Sequence, residues 1–204
     1  MIELDPHFRD ALTEFVGLGI GKAGEVLNAM LDSHIDLSAP SVRIIASENL
    51  AEVLTHGSQA KLSSVEMRYS GSIDGTVKLI FQSIDAGKLV DSIIGENSIQ
   101  EEGLDAIRAG TLCEIGNVVI NAMLGTISNQ LNLSLSYTVP FYRENTAAEL
   151  ISDDLFQSGK IILLIESRFV VEDLEVAGNI AMYLSIISFG TLKESIERYI
   201  GTPS

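Results

Sequence analysis

Apolar and polar positions alternate with helical spacing across Gly110–Gln130, GTLCEIGNVVINAMLGTISNQ. On a helical wheel, Ile115, Val119, Ala122, Met123 and Ile127 share one broad apolar side. Glu114, Asn117 and Asn121 fall together on the other side, at the three- and four-residue spacings that make them neighbours one turn apart. The pattern predicts a long, mostly buried helix with a carboxylate and two carboxamides in a row on its solvent face. Polar residues opposite an apolar stripe are the default for any surface helix, so the wheel alone leaves site and solvated surface both open.

The same pattern occurs earlier in the chain. A shift of 100 residues places Glu14 on Glu114, Leu31 on Leu131 and Pro40 on Pro140 without a gap. The two copies read EFVGLGIGKAGEVLNAMLDSHIDLSAP and EIGNVVINAMLGTISNQLNLSLSYTVP. Each predicts a long helix and then a short extended segment ending at a proline, which cannot continue a helix. Downstream, Glu48–Thr55 and Thr146–Leu155 read as short helices. Lys61–Ser70 and Lys160–Val171, followed by Gly75–Phe81 and Gly178–Leu184, read as paired strands rich in β-branched and aromatic residues. The intervening turns, Gly71–Gly75 and Glu172–Glu175, are short enough for hairpins. Gly87–Gly95 and Leu192–Gly201 close the two halves as helices, and Gln100–Arg108 links them.

These elements predict an α+β protein, internally duplicated with pseudo-twofold symmetry. Two small sheets of antiparallel hairpins join or pack, and long helices cover them. The whole chain, 1–204, is expected to form one domain from two repeats, at about 5–99 and about 104–202.

Composition narrows the function classes. At 46% apolar and 20% charged residues the chain is globular, and its net charge of −15 disfavours binding to nucleic acid. The longest uninterrupted apolar runs, such as Ile161–Ile165, are too short to cross a membrane, and MIELDPHF lacks the pattern of a secretion signal. A cytoplasmic location is the expectation. The single cysteine, Cys113, excludes an internal disulfide and reads as a small, inert, near-core residue despite its acidic neighbour. His7, His34 and His56 have no metal-ligand spacing. Gly17, Gly19, Gly21 and Gly24 lack the GK[ST] ending of a P-loop and follow no strand, so close packing or a locally loosened helix is expected. No GxSxG nucleophile motif is present, and the sequon Asn132-Leu133-Ser134 has no meaning in the cytoplasm.

The chemistry open to the polar row is placement rather than covalent attack. An Asn carboxamide can hold a water through donor and acceptor together, and a Glu can grip a cationic partner group. Neither is a good nucleophile, and no histidine stands nearby as a base.

The EIGN of Glu114–Asn117, opening a long helix in a duplicated chain of this length, resembles the CheC/CheX/FliY chemotaxis phosphatases, CheC most of all. The strings NAML and IDLSAPSVRII after the first helix, and the hairpin-plus-helix ends of each half, are similar too. That family's signature is Asp or Ser, three residues, Glu, two residues, Asn. The resemblance implies dephosphorylation of the aspartyl phosphate of a CheY-type response regulator. Asn117 would orient the attacking water and Glu114 would contact the regulator's lysine. Mg²⁺ would be held by the regulator, with no cofactor held by this chain.

Two departures from the signature matter. In the first copy Asp10 and Glu14 fit, but Gly17 stands in the Asn position; in the second, Gly110 replaces the leading Asp or Ser. One working site is therefore expected, catalytic at Glu114 and Asn117, with Asn121, Asp10 and Glu14 as partner-binding residues and no metal ligands. The competing reading is a non-catalytic adaptor that docks a response regulator or a CheD-like protein. A structural component of the flagellar switch is the third.

Overall fold

The computed structural model describes residues 5–31, 34–55, 60–94, 104–152, 160–171 and 174–201. Helix α1 (Pro6–Leu31) starts where Asp5 accepts the amides of His7 and Phe8, with Pro6 in the first helical position. Then follow β1 (Ile35–Ile45), α2 (Ser47–Thr55), the hairpin β2 (Lys61–Gly71) and β3 (Gly75–Gln82), and α3 (Ser83–Ile94). The second half runs α4 (Leu104–Leu131), β4 (Leu135–Tyr137), β5 (Phe141–Thr146), α5 (Ala147–Ser152), β6 (Lys160–Val171), β7 (Leu174–Ser185) and α6 (Ile186–Gly201).

The strands form one seven-stranded sheet, ordered β1-β6-β7-β3-β2-β4, with β5 also on β2. Every pairing is antiparallel. Of the two expected arrangements, joining or packing, the sheets join: the β3–β7 ladder, Gly75 opposite Leu184 through Ile80 opposite Asn179, makes the two hairpins one surface. The first half runs α-β-α-β-β-α and the second has one strand more, α-β-β-α-β-β-α; β1 pairs with β6 of the second hairpin, and β4 and β5 pair with β2 of the first. The duplication itself is read from the sequence offset.

Several boundaries also move. Neither extended segment ends at its proline. β1 runs through Pro40 with a register shift between Ser38 and Ser41, tolerated because β1 is an edge strand. At Pro140 the second segment breaks into β4 and β5 instead. β7 begins four residues before the expected Gly178, since it pairs with β6 along its whole length. Helices α3 and α6 start directly after their strands; Ser185 Oγ caps α6 by accepting the amide of Ser188 at 3.0 Å. α5 starts with a capping box in which Glu149 accepts the Thr146 amide at 2.8 Å and Thr146 Oγ1 accepts the Glu149 amide at 3.3 Å. Those Thr146 bonds, backbone first, hold the Glu149 carboxyl below its ordinary range. Residues 153–155 of the expected helix, the linker before Leu104 and residues 172–173 of the second hairpin turn lie outside the described residues.

Helices cover both faces of the sheet. On one, α1, α3, α4 and α6 build the main core with Val65, Met67, Val77, Leu79, Leu163, Ile165 and Met182. On the other, Leu50 and Leu54 of α2 and Ala147 of α5 pack on Leu62, Ile80, Ile162, Leu164, Ala181 and Tyr183. Next to this second cluster, directly opposed across β2 and β3, Glu66 and Lys78 form an ion pair of 2.9 Å with both side chains buried. α4 ends at Asn132, which takes φ 52°, while Leu133 N–H reaches back to the Ser128 carbonyl at 2.8 Å. Contrary to the reading from uninterrupted apolar runs, 106–131 is long and apolar enough to cross a membrane; half of that window is buried inside the fold, where α4 is a core helix.

The glycines of α1 divide by surroundings. A Cβ on Gly19 would lie 2.6 Å from Met123 Cα, so this residue sets how closely α1 and α4 approach. Above Gly17 and Gly21 there is open space. Gly19→Ala should therefore force two backbones apart and cost about 1–3 kcal/mol. Gly17→Ala or Gly21→Ala should instead stabilise by up to about 1 kcal/mol, because only helix propensity changes. Denaturant unfolding of the three variants checks this. Equal shifts for all three would show that the crossing is not tight at Gly19.

Candidate functional site on helix α4

The core-facing side of α4 is as expected: Ile115, Val119, Met123 and Ile127 are buried, while Ala122 is half-buried. Leu112, Ile120 and Leu124 are buried as well, so the apolar side is wider than the wheel suggested. Gly116 seats the helix on the sheet, because a Cβ there would come within 2.5 Å of Val65 Cγ1 on β2. With α1 packed alongside at Gly19, this fixes α4 from two directions and leaves one narrow outward strip. Glu114, Asn117 and Asn121 occupy it.

Glu114 is exposed and makes no ion pair or side-chain hydrogen bond among the described residues. Asn117 and Asn121 are half-buried, and Asn121 Nδ2 donates to Asn117 Oδ1 at 2.7 Å. That bond selects one face of the Asn117 carboxamide. Oδ1 turns toward Asn121, which uses one of its two lone pairs, and both Nδ2 hydrogens turn away. The strip therefore offers a free carboxylate and, one turn on, an oriented amide with donor and acceptor capacity remaining. Cys113 is half-buried beside it. Burial first, and the neighbouring Glu114 charge second, push its thiol up, against the Tyr142 amide that lowers it. A protonated thiol is a poor nucleophile, so the inert reading fits its surroundings.

Asp10 and Glu14 lie exposed near the start of α1. Asp10 sits 3.4 Å from the Arg9 guanidinium, and Glu14 has no ion pair or side-chain hydrogen bond among the described residues. No hydrogen bond joins either to the α4 strip among the described residues. On α1, at the positions 100 residues before Asn117 and Asn121, stand Gly17 and Gly21. The structure thus brings Asn117 and Asn121 into contact, sets Glu114 one turn from Asn117, and among the described residues links neither α1 acid to them by a hydrogen bond or ion pair. Among the described residues, no group of three His, Cys, Asp or Glu side chains is placed to hold a metal ion.

No protein-family model matches the chain. The chain is 22% identical over 154 residues to the CheY-P phosphatase CheC of Bacillus subtilis, spanning 74% of this chain and 73% of that protein. The crystal structure of Thermotoga maritima FliY superposes with a TM-score of 0.73 at 17% identity, covering 97% of this chain and all of the other. In sequence and in fold the chain is similar to proteins of the CheC/CheX/FliY family. CheX from Borrelia burgdorferi, solved as a CheX-CheY-BeF3-Mg complex, has the same fold with a TM-score of 0.50 at 14% identity, covering 85% and 99% of the two chains.

Glu114 and Asn117, three residues apart on α4, both reach the surface. The missing leading residue costs the fold little. Gly110 is exposed in open space and well inside α4, so it caps nothing. The corresponding place on α1 lacks the carboxamide altogether. Sequence spacing brought Asn117 and Asn121 to one face but could not show their hydrogen bond, which depends on side-chain torsions. Alternation in KLSSVEMRYS carries no sign of what covers the second face, and so none of the buried pair Glu66–Lys78.

Proposed function

We propose that the chain is a phosphatase acting on the aspartyl phosphate of a CheY-type response regulator in chemotaxis signalling, working from the single site on α4. The observation that carries this is the outward strip on which a carboxylate unpaired among the described residues, Glu114, stands one turn from the oriented carboxamide of Asn117. The similarity to a CheY-P phosphatase supports it.

Phosphoryl transfer to water needs an attacking oxygen in line with the leaving group and compensation for charge, but little covalent chemistry from the catalyst. Asn117, inserted into the regulator's pocket, fits the first need through the free lone pair of Oδ1 and the Nδ2 hydrogens. Glu114 fits docking against a cationic group of the regulator, its lysine in this reading. The catalytic Mg²⁺ is assigned to the regulator on the family resemblance. The net charge of −15 suits a partner with basic groups around its phosphorylation pocket. A cytoplasmic location follows from such a partner.

Decay of a phosphorylated CheY-type regulator, measured with and without the protein, tests the proposal. Acceleration at substoichiometric protein supports turnover. Tight binding of the regulator without acceleration would replace the phosphatase with a docking module, for which a CheD-like protein is a further ligand to try.

A further inference from the structure

We infer that Asn121 is a positioning residue for Asn117 rather than part of the surface that touches the regulator. This rests on the phosphatase reading of the α4 strip.

A carboxamide on a helix surface turns about its last torsion and presents oxygen or nitrogen with similar ease, so an unrestrained Asn117 would meet the phosphate pocket in either sense. Asn121, one turn on, removes that choice by donating Nδ2–H to Asn117 Oδ1 at 2.7 Å. Both residues are half-buried, which limits competition from water for this bond. The donor and acceptor of Asn117 are thereby aimed before the regulator arrives, and orientation fixed in advance need not be acquired in the transition state.

A second observation is independent of the first. At the positions 100 residues earlier, α1 has Gly17 and Gly21, both exposed with open space above them. Both carboxamides are present on α4 and both are missing from α1. That is the pattern expected of two residues that work as one unit.

The experiment compares wild type, Asn121→Ala, Asn121→Asp and Asn117→Ala in single-turnover decay of a phosphorylated CheY-type regulator. The limiting rate and half-saturating concentration are read separately, and binding to the beryllofluoride-loaded regulator is measured alongside. Asn121→Ala should lower the limiting rate about tenfold, with half-saturation and binding unchanged, since only orientation is lost. Asn121→Asp should fall at least as far despite its matching size. A carboxylate cannot donate, and it would draw Asn117 Nδ2–H toward itself, turning the amide end for end. Thermal unfolding of each variant should stay close to wild type.

A rise in half-saturation with an unchanged limiting rate would make Asn121 a contact residue and overturn the assignment. So would an Asn121→Asp variant as fast as wild type. If wild type and Asn117→Ala give equal decay, the phosphatase reading itself fails, whatever Asn121 does.

Discussion

Asn117→Ala should slow decay of the phosphorylated regulator by about 100-fold relative to wild type, the usual effect of removing one oriented hydrogen-bonding group from a transition state. The fold should be untouched. Asn117 is half-buried on the outward strip of α4, and among the described residues its one side-chain hydrogen bond is to Asn121, a neighbour on the same helix. Alanine is also the better helix former, so a melting temperature equal to or slightly above wild type is expected. The contrast with binding is the diagnostic part. Glu114→Ala should weaken the complex, because an unpaired exposed carboxylate is available only to a partner. Asn117→Ala should leave affinity for the beryllofluoride-loaded regulator within a few-fold of wild type. Glu14→Ala should change neither, since α1 has Gly17 in place of the catalytic carboxamide. An Asn117→Ala protein that is fully active would move the chemistry elsewhere; one that unfolds would make the asparagine structural.

The largest effect on stability should come from Lys78→Met. Glu66 and Lys78 face each other across β2 and β3, 2.9 Å apart, with side chains 0% and 1% exposed. Methionine fills most of the lysine's volume but leaves the Glu66 carboxylate buried without its counter-charge. Breaking a buried pair in this way costs about 3–5 kcal/mol. The ammonium also stands 5.8 Å from the centre of the Tyr183 ring, a further contact that methionine replaces only with dispersion. Burial, and after it the Glu66 charge, push the Tyr183 hydroxyl up and keep it protonated, so it adds no second anion beside Glu66. The double variant Glu66→Leu/Lys78→Met should recover most of the loss, because removing both charges also removes their desolvation cost. Urea unfolding of wild type, single and double variants decides it. A single variant within about 1 kcal/mol of wild type would mean that water reaches the Glu66 carboxylate.

Much of this molecule was legible along the chain. Helical spacing gave α1 and α4, and alternation and β-branched residues gave both hairpins. Periodicity reports faithfully where a segment has one dry side and one wet side, as α4 does around Ile115, Val119 and Met123. It fails where both sides are dry. β2, β3, β6 and β7 are covered on both faces, so charged Glu66 and Lys78 are buried in the fold with no mark of it in the strand alternation.

For the site, the sequence alone determined that Glu114, Asn117 and Asn121 share a helix face, since helical geometry fixes residues three and four apart as neighbours. It also determined that the first copy has no carboxamide at position 17. Tertiary structure decided three further things. The two hairpins fuse into one sheet through β3 and β7, because strand order depends on pairing between distant segments. The outward strip of α4 is narrow, because Gly116 against Val65 and Gly19 against Met123 let the helix settle close on two sides. The Asn117 amide has one orientation, because a side-chain torsion is chosen by the groups packed around it rather than by spacing along the chain.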